Sequence, residues 1–122
     1  MNATRRTFLT TWGVGGAAAV VLAGCSREPE GAATPTDVTV AIVMKDGALS
    51  PNAARVNVVK GATVTVTVDS DQDLHVHVHG YEEEIIAKPG EPAEVSFVAD
   101  LVGSFEIETH DPAVVVAQLV VR

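Results

Sequence analysis

The segment Leu74-His75-Val76-His77-Val78-His79-Gly80 constrains the fold of this chain most strongly, because apolar residues and histidines alternate along it. Successive side chains of a β-strand point to opposite faces of its sheet, so a period of two predicts a half-buried strand. The leucine and the two valines then face a core, and the three histidines share the other face. Three imidazoles on one face of a strand are the first candidate site in the chain.

Strand geometry limits how these imidazoles can act together. A strand rises about 3.3 Å per residue, so neighbours in His-x-His lie roughly 7 Å apart, and His75 and His79 about 13 Å apart. Two adjacent imidazoles can converge on one ion, with His77 paired to either neighbour. A third ligand must come from another strand, and His110 is the only other histidine. The predicted metal site therefore consists of His75, His77, His79 and His110.

Most of the chain after Asp37 shows the same strand pattern. Val64, Val66 and Val68 alternate with threonines, and shorter alternating runs follow one another between turn residues such as Gly61. Seven or eight short strands within residues 37–122 predict an all-β domain, a β-sandwich with Greek-key connections. Ser50 to Arg55 is the one segment where a short helical turn also fits.

The N-terminal residues carry the pattern of a bacterial export signal. Arg5 and Arg6, in Thr-Arg-Arg-Thr-Phe-Leu, form a twin-arginine motif, and a weakly apolar run follows from Gly13 to Leu22. That run is shorter than the roughly 20 apolar residues that a membrane-spanning helix needs. We therefore expect export of the protein rather than a transmembrane anchor.

Cys25 follows Leu22-Ala23-Gly24, which resembles a bacterial lipobox. In such a sequence the chain is cut before the cysteine, and the thiol receives a diacylglycerol or acyl lipid. The alternative is an ordinary signal peptide with an incidental cysteine. We predict a signal peptide over 1–24, a lipidated cysteine and flexible tether over 25–36, and an extracytoplasmic location with lipid anchoring to the cell membrane.

The charge of the chain narrows the choice of partners. The formal net charge is −8, and cleavage after residue 24 would leave six basic and sixteen acidic residues. Such an acidic chain is a poor partner for nucleic acid or for anionic lipid headgroups. We therefore predict no nucleic-acid partner and a membrane link through the lipid alone.

Several segments in the folded part together resemble the cupredoxins, and most closely bacterial cupredoxin-like domains with a His-Val-His-Gly-Tyr segment, including domains of the EfeO type. The resemblance covers roughly Val38 to Arg122. The segments that carry it are Asp73-Leu74-His75, Gly80-Tyr81, Lys88-Pro89-Gly90-Glu91, Val95-Ser96-Phe97-Val98-Ala99-Asp100, Gly103-Ser104-Phe105-Glu106 and Gln118-Leu119-Val120-Val121.

This resemblance implies a sandwich whose first copper histidine falls in the strand of His75. In blue-copper members the other ligands, a cysteine, a histidine and a methionine, lie between the last two strands. This chain has Thr109 where the cysteine belongs and Val115 about where the methionine belongs. Because a blue centre needs a thiolate, we expect a histidine-only copper site that serves metal handling rather than electron transfer.

Strand parity predicts which residues join these histidines. Phe105, Ile107 and Thr109 alternate towards the core, which leaves Glu108 and His110 outside. If the two strands are neighbours, as the resemblance implies, both residues approach the histidine face. Glu82-Glu83-Glu84 is interpreted as a solvated edge, with cation capture as the alternative.

Enzyme functions fit this sequence poorly. His75-Val76-His77 also resembles the His-x-His of copper-zinc superoxide dismutases, but those enzymes need further ligands and usually a disulfide. A zinc hydrolase would use His-x-His, a third histidine and an open water position, but this chain has no room for a substrate cleft. We therefore predict a protein that is not an enzyme and that serves a metal-transport or oxidase partner. The alternative is a metal-free sandwich acting as an accessory module of a membrane complex.

Overall fold

The computed structural model describes Gly31 and residues 33–122. The export motif with Arg5 and Arg6, the lipobox Cys25 and most of the tether lie outside the described residues. Within the described part, no helix is long and apolar enough to cross a membrane.

The described residues form nine β-strands in two sheets, which confirms the predicted all-β sandwich. Connections within a sheet are the short hairpins β1–β2, β5–β6 and β8–β9, and the other connections cross between the sheets. The strands are β1 Val38–Lys45, β2 Ala48–Ser50, β3 Ala54–Val58, β4 Thr63–Ser70, β5 Leu74–Val78, β6 Glu83–Ala87, β7 Ala93–Val98, β8 Gly103–His110 and β9 Ala113–Val121.

One sheet has the order β2-β1-β4-β7 and the other β3-β9-β8-β5-β6. The pairs β1–β4 and β3–β9 are parallel, and the remaining pairs are antiparallel. The histidine strand β5 is thus an inner strand of the five-stranded sheet, between β8 and β6. Residues of β8 and β6 therefore lie on either side of the outward-facing side chains of β5.

The structure has one strand more than the sequence predicts. The additional strand is β2, whose three residues are too few to show an alternating pattern. It pairs with β1 through a hairpin at Asp46-Gly47, where both residues have positive φ, 50° and 76°. Asp-Gly favours two-residue hairpin turns, so the signal was present in the sequence. The helical turn considered for Ser50 to Arg55 is wrong, because a bend leads there directly into β3.

The core lies between the sheets and consists mostly of valine. Val64, Val66 and Val68 on β4 and Val76 and Val78 on β5 have no exposed surface. Burying one such side chain stabilises the fold by roughly 1.5–3 kcal/mol. The alternation in the sequence therefore fixes the orientation of β5, with its valines inward and its histidines outward.

Two aromatic contacts fix the end of the histidine strand. The Tyr81 ring packs 4.5 Å from Phe97 and 4.9 Å from Phe105, and its hydroxyl donates to the Leu101 carbonyl. Gly80 has φ of 80°, and a Cβ there would overlap the Phe105 ring. Only glycine fits at this position, which holds the turn after His79 close against β8.

Candidate metal centre

The histidines of β5 lie on the outer face of the five-stranded sheet. The side chain of His75 is 39% exposed and that of His77 13%, whereas Val76 between them is fully buried. His79 follows the strand, and its amide donates to the Glu106 carbonyl, so β8 also orients this residue. All three imidazoles therefore share one face, as the period of two predicts.

Strand β8 brings the fourth histidine to the same face. His77 pairs directly with Glu108, and Val76 with Thr109. Because Thr109 is buried, its neighbours Glu108 and His110 point outward beside β5. The predicted approach of these two residues to His77 is confirmed; metal ligation by them stays a prediction.

The four imidazoles form a continuous row, which we call the histidine cluster: His79, His77, His110 and His75. Successive ring centroids are 4.5 Å apart for His79 and His77, 6.0 Å for His77 and His110, and 5.0 Å for His110 and His75. The His77 and His110 rings are nearly parallel, at 26°. Side chains from two strands thus converge on one patch.

Three residues in this patch offer donor atoms suited to one metal ion. Ligand atoms of His77, Glu108 and His110 all lie within 4.8 Å of one another. Metal–nitrogen bonds are about 2.0–2.1 Å long, so two donors on opposite sides of an ion are about 4 Å apart. Shifts of less than about 1 Å would bring these three atoms to bonding distance.

Carboxylates of the neighbouring segments contact each histidine of the β5 segment. His75 Nε2 lies 3.6 Å from Glu84 Oε2, His77 Nε2 lies 3.3 Å from Glu82 Oε2, and His79 Nε2 donates to Glu108 Oε1 at 2.6 Å. The sequence predicts a solvated edge here, with cation capture as the alternative, and the side chains of Glu82 and Glu84 are 74% and 61% exposed. The pairing of β6 with β5 is the signal that could have assigned them to the site.

The His79–Glu108 pair shifts both titrations. The hydrogen bond that His79 donates to Glu108 raises the pKa of His79 above 6.5 against a smaller opposing effect of desolvation, and the charges of Glu108, Glu82 and Glu106 add to the rise. The same bond lowers the pKa of Glu108 below 4.5, again against desolvation. The pair thus favours a protonated imidazole beside an ionised carboxylate.

One imidazole nitrogen in the patch has no hydrogen-bond partner. His75 Nε2 is inaccessible to water, and its contact with Glu84 at 3.6 Å is too long for a hydrogen bond. A buried polar atom without a partner is costly and calls for an explanation such as an ion. A cavity of about 470 Å³ is lined by His75 and His110, with Asp73 and Asp111 also in its wall.

The residues present do not fit a blue-copper centre. Thr109, where the resemblance to cupredoxins would place a cysteine, is buried, and its hydroxyl donates to the Pro112 carbonyl. The only cysteine of the chain is Cys25, which lies outside the domain. The β8–β9 loop is a two-residue turn, Asp111-Pro112, and supplies neither the cysteine nor the methionine of a blue centre. The donors here are imidazoles and carboxylates only.

Neither a known family model nor a curated protein matches this chain. Solved structures match its fold. A chain of a heme-copper terminal oxidase dimer has a TM-score of 0.54 at 19% identity, over 70% of this chain and 65% of that chain. Blue copper oxidase from Nitrosomonas europaea has a TM-score of 0.56 at 12% identity, over 74% of this chain and 44% of that chain.

A small copper protein matches over its whole length. Auracyanin A, a blue copper protein from Chloroflexus aurantiacus, has a TM-score of 0.50 at 20% identity, over 71% of this chain and all of that chain. The present chain spans less than two thirds of the oxidase chains above. At these identities the similarity establishes the fold alone: the described domain is a cupredoxin-like β-sandwich.

Proposed function

We propose that this domain binds Cu(II) through its histidine cluster and handles the metal rather than transferring electrons. The observation that carries the proposal is the convergence of His77, Glu108 and His110, whose donor atoms lie within 4.8 Å of one another. Imidazole suits copper and zinc, and copper binds most tightly of the common divalent ions. His77 and His110 would be the central ligands, with Glu108 as the oxygen donor.

The unpartnered nitrogen of His75 supports the same assignment. A bound ion beside His110 would give the buried Nε2 atom a partner that the protein itself does not offer. The ring of His110 is 5.0 Å from that of His75, so both can serve one ion. The chemistry of the donors agrees with Cu(II), since nitrogen and oxygen donors suit that ion whereas Cu(I) prefers sulfur.

The openness of the patch favours exchange of the metal. His79 is 45% exposed and His110 is also exposed, so water and an acceptor protein can reach an ion held by His110. An electron-transfer centre of the blue type would need the thiolate that this domain lacks. Capture or delivery of copper fits these properties better, and no catalytic role is proposed.

The location proposed for this activity rests on the sequence. Arg5 and Arg6 would direct export, and a lipid on Cys25 would hold the domain at the outer face of the cytoplasmic membrane. A copper-transport protein or an oxidase in that membrane would be the partner. The fold similarity to a chain of a heme-copper oxidase is compatible with this partner.

A copper titration of the full chain tests the proposal. The protein should carry Cys25→Ala, so that the lone thiol cannot bind copper. We expect an EPR spectrum with imidazole ligation, and His77→Ala should weaken binding at least about tenfold, since even outer-shell changes cost about 10–100-fold. The control is Glu94→Gln, an exposed residue of β7 on the other sheet. If the Cys25→Ala protein with all four histidines gives no copper signal in EPR or thermal shift, the proposal is refuted.

A second function is favoured by the exposed apolar residues. Ile86 is 63% exposed, and Val98, Leu101 and Val102, which lie within five residues of one another, are 54%, 46% and 65% exposed. Exposed apolar residues that form a contiguous patch mark contact surfaces. The domain would then be a metal-free accessory module of a membrane complex. Capture of a membrane partner that is abolished by Ile86→Ser or Val102→Ser, and unaffected by chelators, would favour this function.

A further inference from the structure

The histidine cluster and its carboxylates contain more donors than one copper ion uses. Cu(II) takes nitrogen and oxygen donors in a square-planar or tetragonal arrangement, so about four strong donors satisfy one ion. The patch holds four imidazoles, and three carboxylates lie within 3.6 Å of an imidazole nitrogen. The surplus raises the question of a second ion.

The first group of donors, which we call the loop half, lies around the turn after β5. It contains His77 and His79, whose ring centroids are 4.5 Å apart. Each imidazole has its own carboxylate, Glu82 at 3.3 Å from His77 and Glu108 at 2.6 Å from His79. This half therefore has two adjacent imidazoles, each with a carboxylate oxygen within 3.3 Å of its Nε2 atom.

The second group, which we call the cavity half, lies where β5 begins and β8 ends. His75 and His110 have ring centroids 5.0 Å apart, and Glu84 is 3.6 Å from His75 Nε2. The cavity of about 470 Å³ adjoins both imidazoles and has Asp73 and Asp111 in its wall. It offers room for water or a wall carboxylate to complete the ligand set.

We propose that the cluster binds two Cu(II) ions, one in each half. Of the three ring contacts, the one that joins the halves, between His77 and His110, is the longest at 6.0 Å. This inference rests on the proposed copper binding. The first ion uses His77 and His110 together, and the second separates them so that each serves its own ion.

The charge of the patch permits two neighbouring cations. The four glutamates of this face, Glu82, Glu84, Glu106 and Glu108, supply negative charge beside both halves. The patch is also open to water, which screens the repulsion between the ions.

The test is a copper titration of the full chain with Cys25→Ala, with free Cu(II) buffered by glycine. We expect two equivalents of copper to remain after desalting. At full loading we also expect a half-field EPR transition, because Cu(II) ions in the two adjacent halves of the cluster would couple magnetically. His75→Ala and His79→Ala should each retain one equivalent and lose the half-field line. Glu94→Gln on the other sheet should keep both, and circular dichroism of each variant checks folding.

The outcomes separate this inference from the proposed function. One equivalent in the wild type, without a half-field line, overturns the second ion and leaves copper binding intact. Two equivalents without magnetic coupling also overturn it, because the ions would then lie in unrelated places. No retained copper at all would overturn both proposals.

Discussion

Glu82 has an unusual backbone conformation for a residue of the site. Its φ is 54°, in the left-handed region that non-glycine residues rarely adopt. Its carboxylate bridges two groups, accepting from the Gly80 amide at 3.2 Å and lying 3.3 Å from His77 Nε2. Strained backbone of this kind clusters at functional sites. The side chain thus positions the His77 imidazole at a cost in local conformation.

Replacing Glu82 with glycine should separate stability from metal affinity. Glycine adopts a positive φ freely, so we expect the free energy of unfolding to rise by up to about 1 kcal/mol. Copper affinity should fall about 10–100-fold, because the His77 imidazole loses the carboxylate beside it. Thermal unfolding and a competitive copper titration measure the two effects.

Glu83→Gly is the matched control for this substitution. Glu83 begins β6 without a positive φ, so glycine there should lower stability and leave copper affinity unchanged. Unaltered affinity in Glu82→Gly would refute the positioning role of Glu82.

Strands β5 and β8 are linked across the sheet by the His79–Glu108 pair. The raised pKa of His79 means that its contribution to stability is present below pH 6.5 and is lost as pH rises through the folded-state pKa. The lowered pKa of Glu108 means that its contribution is present above pH 4.5 and is lost as pH falls through its folded-state value. Both contributions to stability are therefore fully present between pH 4.5 and pH 6.5.

The stability difference between wild type and His79→Gln should follow that window. In copper-free buffer, we expect the wild-type advantage in Tm to be largest between pH 4.5 and 6.5 and to decline as pH rises through the folded-state pKa of His79. The effect should be small because the pair keeps contact with water. Glu108→Gln should remove the same advantage, and a difference that does not vary with pH would exclude the ion pair as its cause.

The elements of the site were predictable to the extent that strand parity governs them. Alternation placed the β5 histidines outward, and the parity of Ile107 and Thr109 placed Glu108 and His110 beside them. The contacts of Glu82 and Glu84 were not foreseen, because they depend on the turn conformation and on diagonal neighbours across β5 and β6. Strand β2 was missed because three residues carry too little periodicity, although Asp46-Gly47 marked its hairpin.

At the scale of the whole molecule, export and anchoring can be tested separately from the metal site. Replacing Arg5 and Arg6 with lysines should retain the protein in the cytoplasm, because the twin-arginine signal is read by a dedicated export route. Cys25→Ala should allow export and release the domain from the membrane. Fractionation of cells and detergent phase partitioning measure both outcomes. Membrane association that persists in Cys25→Ala would refute the lipid anchor, and His77→Ala is the control that should change neither location.

The alternation along β5 also makes the domain a suitable platform for protein engineering. Every histidine of this strand stands between residues that hold the two sheets together, while its own side chain lies on the outer face of the sheet. Substitutions at such outward positions usually change stability by less than about 0.5 kcal/mol. New ligand sets could therefore be introduced here one residue at a time, and natural variants could acquire or lose metal specificity while the scaffold beneath them stays unchanged.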